Sequence, residues 1–323
     1  MPERPAKSVD SIIDESATNL CDLSERDKPW DKHRANADRI GEHYAGSEFQ
    51  DYSQRINLCS QFLDFRLTPD THGSYKLKLD SAFFCRVKYC AVCQWRRSLL
   101  WKAKAYKVLP QIVEAYPKYR WLFVTLTVKN CQIDQLKETL QWMHQGFKRM
   151  TKLKAFPAVG WLKSTEVTRG RRGDAHPHFH CLLMVPPSYF SGQQYLSQKK
   201  WVELWRRSVR IDYNPIIDVQ AVKPGQSPMQ LVPELLKYCT KESDLVADRE
   251  WFLELTRQMH RMRCVATGGV LKEYLRALEN EPEDLVGKGE ETDEVDEGHL
   301  YFGWKRKVRK YKLTGDSFTS DTS

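Results

Sequence analysis

His176-Pro177-His178-Phe179-His180 places three imidazoles in five residues. The run continues through Cys-Leu-Leu-Met to Val185, so residues 178–185 read as a buried β-strand. Side chains alternate faces along a strand, and His178 and His180 therefore point the same way. Two imidazoles so placed can hold one divalent metal ion. Buried imidazoles without partners are costly. The alternative is a structural histidine cluster satisfied by hydrogen bonds alone.

A third ligand comes from the preceding segment. Gly160 to Thr168 reads as a strand, Arg169 to Asp174 as a turn, and the two strands form a hairpin. Reflection about Gly173 puts Glu166 opposite His180; moving the centre by one residue puts it opposite His178. Direct cross-strand neighbours have Cβ atoms about 5 Å apart, close enough to share an ion. Glu166, His178 and His180 make a set suited to manganese or magnesium in phosphoryl transfer, with open positions for water and a phosphate oxygen. A surface role for Glu166 is the alternative.

Such a site needs a nucleophile. Pro233 to Asp244 reads as a helix opened by proline. On that helix Glu234, Tyr238 and Lys241 share a face. A tyrosine oxygen can attack a phosphodiester and stay attached. Lys241 would steady the phosphate or the phenolate, and Glu234 would activate a water. The competing reading packs Tyr238 at the edge of the core.

Cys85-x4-Cys90-x2-Cys93, with Cys59 farther upstream, supplies four thiols that fit a closed, tetrahedral structural zinc site. Buried small residues are the alternative. Cys21, Cys131, Cys181, Cys239 and Cys264 are scattered and read as structural. Arg96, Arg97 and Lys102 follow the cluster on a basic helix from Trp95 to about Ala115, interleaved with Trp95, Trp101 and Tyr106. That mixture can grip phosphates and stack bases, or it can be a solvated helix face. Arg171 and Arg172, in the hairpin turn, are further candidate DNA contacts.

The elements that must position these groups follow in order. Trp121 to Val128 is a strand, and Ile133 to Met150 a helix with apolar residues at steps of three and four. After the hairpin come a helix over Lys199 to Arg210, a strand over Pro215 to Val222, and helices over Pro233 to Asp244, Glu250 to Arg263 and Val270 to Leu278. This order predicts an α+β domain, an antiparallel sheet with helices packed on one face, preceded by the small cysteine-rich zinc segment. The boundaries are 1–54 for a polar N-terminal segment, 55–95 for the cysteine-rich module and 96–278 for the main domain with a helical extension. An acidic linker covers 279–299 and a basic-aromatic tail 300–323.

The 323-residue chain carries a net charge of +9. Glu279 to Glu297 holds ten acids and one lysine, so the remainder has 50 bases against 32 acids, or +18. A body this basic points to a polyanionic partner, nucleic acid foremost. No apolar run reaches the roughly 20 residues that span a bilayer, and the polar N-terminus has no signal core. A cytoplasmic location with no membrane partner is expected, and there the nine cysteines would be free thiols or metal ligands.

Several blocks together resemble the replication initiator (Rep) proteins of rolling-circle plasmids, within the HUH endonuclease superfamily. They are Asp27-Lys-Pro-Trp-Asp-Lys-His-Arg34, Cys59 with Cys85 to Ser98, the strand Phe123 to Thr127, Glu166 with His176 to His180, and Glu234-x-x-Lys237-Tyr238-x-x-Lys241. The nearest branch carries a cysteine-rich segment before the catalytic domain. Ala91 stands where family members often have proline. The resemblance implies the HUH, ferredoxin-like arrangement and a metal-dependent DNA nickase and strand transferase. It would open one strand of plasmid origin DNA in single-stranded form. Tyr238 would take the 5′-phosphate and free a 3′-hydroxyl primer. The metal at His178, His180 and Glu166 would polarise the phosphate, and Glu234 would serve hydrolysis at termination. Host helicase and polymerase would be partners.

Three rivals remain. A related HUH transposase or relaxase would share the chemistry and differ in target. A histidine-triad nucleotide hydrolase fits Pro177 and Phe179 but needs neither the cysteines nor Tyr238. A non-enzymatic, zinc-stabilised nucleic-acid-binding protein accounts for charge and cysteines but leaves the histidine strand unexplained.

Overall fold

The structure, a computed structural model, describes residues 19–69, 75–192, 194–223, 225–237, 239–276 and 298–318. The chain divides into two compact units, one of Met1–Arg97 with Glu283–Ser323 and one of Ser98–Pro282. No described helix is long and apolar enough to cross a membrane.

The first unit contains α1 (Pro29–Tyr44), α2 (Gln50–Leu58), β1 (Phe62–Pro69) and β2 (Tyr75–Ala82). Helix α3 (Ala91–Ala115) begins at its cysteine cluster. The strands β8 (Gly298–Lys305) and β9 (Lys310–Phe318), from the stretch that reads in sequence as a tail, complete an antiparallel sheet of order β2-β1-β8-β9. Leu63, Phe65 and Leu67 of β1 and Leu300, Phe302 and Trp304 of β8 are buried, as period-two alternation requires for a sheet with one covered face. Buried polar links close this core. The Trp304 indole N–H donates to Asp38 (2.9 Å), the Tyr311 hydroxyl donates to the Ser60 carbonyl (2.7 Å), and Arg34 pairs with Asp38 (2.9 Å).

The second unit is built on an antiparallel sheet of order β6-β3-β5-β4-β7. Its strands are β3 (Arg120–Thr127), β4 (Gly160–Arg169), β5 (Ala175–Val185), β6 (Ile217–Ala221) and β7 (Val265–Gly269). The α+β class expected from the sequence is what the chain adopts. Helices cover both faces of this sheet rather than one. Phe179 of β5 meets Phe147 of α4 (Leu136–Met150) and Trp205 of α5 (Gln198–Val209), with ring centroids 6.1 and 6.2 Å apart. On the opposite face Leu182 and Met184 join a core with Val108 and Ile112 of α3, Leu235 of α6 (Val232–Leu235) and Leu271 of α9 (Val270–Arg276). The reason lies in β5, where Cys181 to Val185 is apolar at both parities, so both faces demand cover.

Two further expectations give way. Pro233–Asp244 is not one helix: α6 ends at Leu235, Leu236 leaves helical geometry (φ −113°, ψ 30°), and α7 (Glu242–Ala247) starts afresh. Cys239 and Cys264 are joined as a disulfide, so the nine cysteines are not all free thiols or ligands. Helix α8 (Arg249–Gln258) follows, its first turn capped by Asp248, which accepts from the Trp251 N–H (3.1 Å).

Candidate metal centres and their surroundings

The β4–β5 register places Glu166 opposite His178 and Ser164 opposite His180. The hairpin centre thus falls one residue before Gly173, the second of the two registers. One carboxylate oxygen nonetheless reaches both rings. Glu166 Oε2 lies 3.2 Å from His178 Nε2 and 3.0 Å from His180 Nε2. All three side chains are buried.

The far ring nitrogens have their own partners. His178 Nδ1 donates to the His176 carbonyl (3.2 Å), which fixes that proton because a carbonyl only accepts. His180 Nδ1 bonds Thr125 Oγ1 (3.2 Å), which sits directly across on β3. Such outer contacts orient ligating imidazoles. Both Nε2 atoms face the same carboxylate oxygen, where a shared cation would fit. Three donor atoms within 4.8 Å of one another fit a divalent ion with positions left open.

Lys237 is the residue that sequence reasoning left without a role. Its Nζ lies 3.2 Å from Glu166 Oε2 and also pairs with Glu234. Burial raises the Glu166 carboxyl, but hydrogen bonds from His178 and His180 and the Lys237 charge outweigh it, so Glu166 is held well below the usual carboxylate range. For Lys237, burial pulls down, and the bonds to Glu234 and Glu166 win and raise it.

Tyr238 lies outside the described residues. Its chain neighbours are fixed at the site. Lys237 reaches Glu166, and the Cys239 carbonyl accepts from the Val167 N–H at 2.8 Å. The disulfide ties Cys239 to Cys264, whose carbonyl accepts from Thr165 N–H at 2.7 Å. Glu234 is exposed on α6, and Lys241 is exposed as the N-cap of α7. The break at Leu236 means that helical spacing is not what relates them.

In the first unit, Cys59 Sγ stands 3.6 Å from Cys93 and 3.7 Å from Cys90, and Cys85 stands 3.6 Å from Cys93. Zn–S bonds of about 2.3 Å in a tetrahedron separate sulfurs by about 3.8 Å, so the four buried thiols match that ion. Bonds donated by Cys85, Cys90 and Cys93 draw the Cys59 thiol far below its ordinary range. Arg96 lies over the rings of Trp30 and Trp95, 5.5 and 5.7 Å from their centroids, and burial lowers it to about 10. Arg97 and Lys102 are half-buried, and Arg171 and Arg172 are exposed in the β4–β5 turn.

An antiparallel five-stranded sheet with a two-histidine, one-carboxylate cluster, and a separate four-cysteine cluster, set the class of this chain as an α+β protein with two candidate metal centres. Residues 76–312 match the family described as "Replication protein". A protein named Rep from Bacillus amyloliquefaciens is 32% identical, over 88% of this chain and 94% of its own length. Another from Streptococcus pneumoniae is 35% identical over 76% and 78%, and one from Lactiplantibacillus plantarum 33% over 82% and 87%. The chain belongs to this Rep family of replication proteins, as the resemblance read from its motifs implied. No solved structure matches it.

Proposed function

We propose that this protein initiates rolling-circle replication of a plasmid by nicking its origin DNA. The observation that carries the reading is the meeting of Glu166, His178, His180 and Lys237, the last of which precedes Tyr238 in the sequence. Tyr238 Oη attacks the phosphorus of a single-stranded origin segment. The P–O3′ bond breaks, the 5′-phosphate stays on the tyrosine, and the 3′-hydroxyl is freed as a primer. A divalent ion, manganese or magnesium, held by His178, His180 and Glu166 supplies polarisation of the scissile phosphate. Thr125 and the His176 carbonyl hold the two imidazoles so that both Nε2 atoms face Glu166. Lys241 steadies the phosphate, and Glu234 activates the water that releases the product at termination. The four cysteines hold a structural zinc. Arg171 and Arg172, exposed in the β4–β5 turn, meet the DNA backbone, host helicase and polymerase act downstream, and the protein works in the cytoplasm.

A labelled origin oligonucleotide with manganese or magnesium tests this. Tyr238→Phe is expected to abolish the covalent adduct; an undiminished adduct removes Tyr238 from its role. Glu234→Ala is expected to spare the first nick and impair release, and equal loss of both would assign Glu234 to nicking itself.

A further inference from the structure

We infer that the outer face of the first unit's sheet is a stacking platform for single-stranded DNA. This goes beyond the nicking site and does not require it. The inner face of β1 and β8 is core; the outer face carries Phe62, Asp64 and Arg66 of β1 against Gly303, Tyr301 and His299 of β8. These are the two central strands of the four. Phe62 is 70% and Tyr301 38% exposed, a heavy cost for aromatic surface unless something covers it.

Both rings stand across from a glycine of the neighbouring strand. A Cβ built at Gly303 would stand 3.4 Å from the Phe62 ring, and one at Gly315 of β9 would stand 3.8 Å from the Tyr301 ring. Gly303 is the cross-strand partner of Phe62 and Gly315 that of Tyr301. The His299 ring is stacked with Tyr301, centroids 6.1 Å apart and 18° from parallel. The result is a row of flat π surfaces, which bases of any identity can stack on.

Charge on the same face selects a polyanion. Lys78, Arg66 and His299 stand directly across from one another on three adjacent strands, with Lys76 opposite Thr68 and Lys312 opposite Gly303. The carboxylates on this face are matched: Asp64 accepts from His299 at 2.6 Å and Asp80 faces Arg66 at 4.0 Å. Rings in the middle and cations around them suit a strand whose bases are unstacked and turned inward, not a duplex, whose bases are already stacked on one another.

The test uses the full chain carrying Tyr238→Phe, so that binding is read without cleavage, and a fluorescent oligothymidine of roughly twenty nucleotides. Adding Phe62→Leu and Tyr301→Leu keeps apolar cover over both glycines and removes the π faces; affinity is expected to fall about tenfold or more at unchanged melting temperature. Adding Lys76→Gln and Lys312→Gln instead should weaken binding and flatten its dependence on salt; this pair decides the matter should the leucine pair melt early. A duplex of equal length should bind more weakly. Affinity unchanged within about twofold in the deciding variant, or a duplex bound as tightly as the single strand, would overturn the platform. An RNA strand that outcompeted the DNA would overturn its occupant. None of these results bears on origin nicking by the unmodified chain, which is read separately.

Discussion

Two of the potential metal clusters among the described residues, the four cysteines and Glu166 with His178 and His180, are buried, and they differ in what they leave over. The cysteine cluster offers four sulfurs at the corners of one tetrahedron, enough to close a zinc ion off from any substrate. The cluster on β4 and β5 offers two imidazoles and one carboxylate, a harder and incomplete set. It also has a lysine reaching in from the segment that leads to Tyr238. The comparison teaches that burial alone does not separate a structural centre from a reactive one. Donor count, donor softness and the presence of a nearby chain segment with its own chemistry do.

The largest effect should come from the closed cluster. Cys93→Ser is expected to lose zinc and unfold the first unit, because binding free energy at such a site is folding free energy. Elemental analysis should find about one zinc per wild-type chain, and a metal-free protein that melts like the holo form would break the distinction. The open cluster should behave oppositely. His178→Ala or His180→Ala should leave melting and DNA binding largely intact while origin cleavage falls about a hundredfold or more. A folding defect as deep as that of Cys93→Ser would mean that the histidines are structural too.

Lys237→Gln sharpens the contrast further. It removes the cation that shares Glu166 Oε2 with the imidazoles. Cleavage should drop about tenfold, and the manganese concentration needed for half-maximal activity should shift. The smallest effect concerns acid stability without added manganese or magnesium. Glu166 is depressed in the folded chain from an ordinary 4.5, so the unfolded state binds its proton first as pH falls. Its contribution is present above that value and is lost as pH drops through the folded value. Glu166→Gln should therefore flatten the acid limb of urea unfolding below about pH 4.5, whereas an unaltered limb would show that the carboxylate gains nothing from its neighbours.

Much of the candidate site on β4 and β5 was legible because strands announce themselves by alternation. His178, His180 and Glu166 follow from a period of two and one reflection, and only the turn centre was ambiguous by a residue. Lys237 escaped because Pro233 to Asp244 looks helical throughout, and nothing local marks the break at Leu236. The orienting role of Thr125 needed the β3–β5 register, a long-range pairing. The first unit's sheet hid for the same reason. Leu63, Phe65 and Leu67 alternate, as do Leu300, Phe302 and Trp304, but no local signal says that Phe62 pairs with Gly303. The disulfide between Cys239 and Cys264 was beyond composition altogether, since it depends on two segments meeting along the edge of β4.

The central claim is that Tyr238, between Lys237 and Cys239 in the sequence, is the nucleophile. Digestion of the covalent protein–DNA product and mass spectrometry of its peptides tests it most directly. The account predicts a 5′-phosphonucleotide on Tyr238 and on no other residue. An adduct mapped to a different tyrosine, or efficient nicking with no adduct at all, would contradict it.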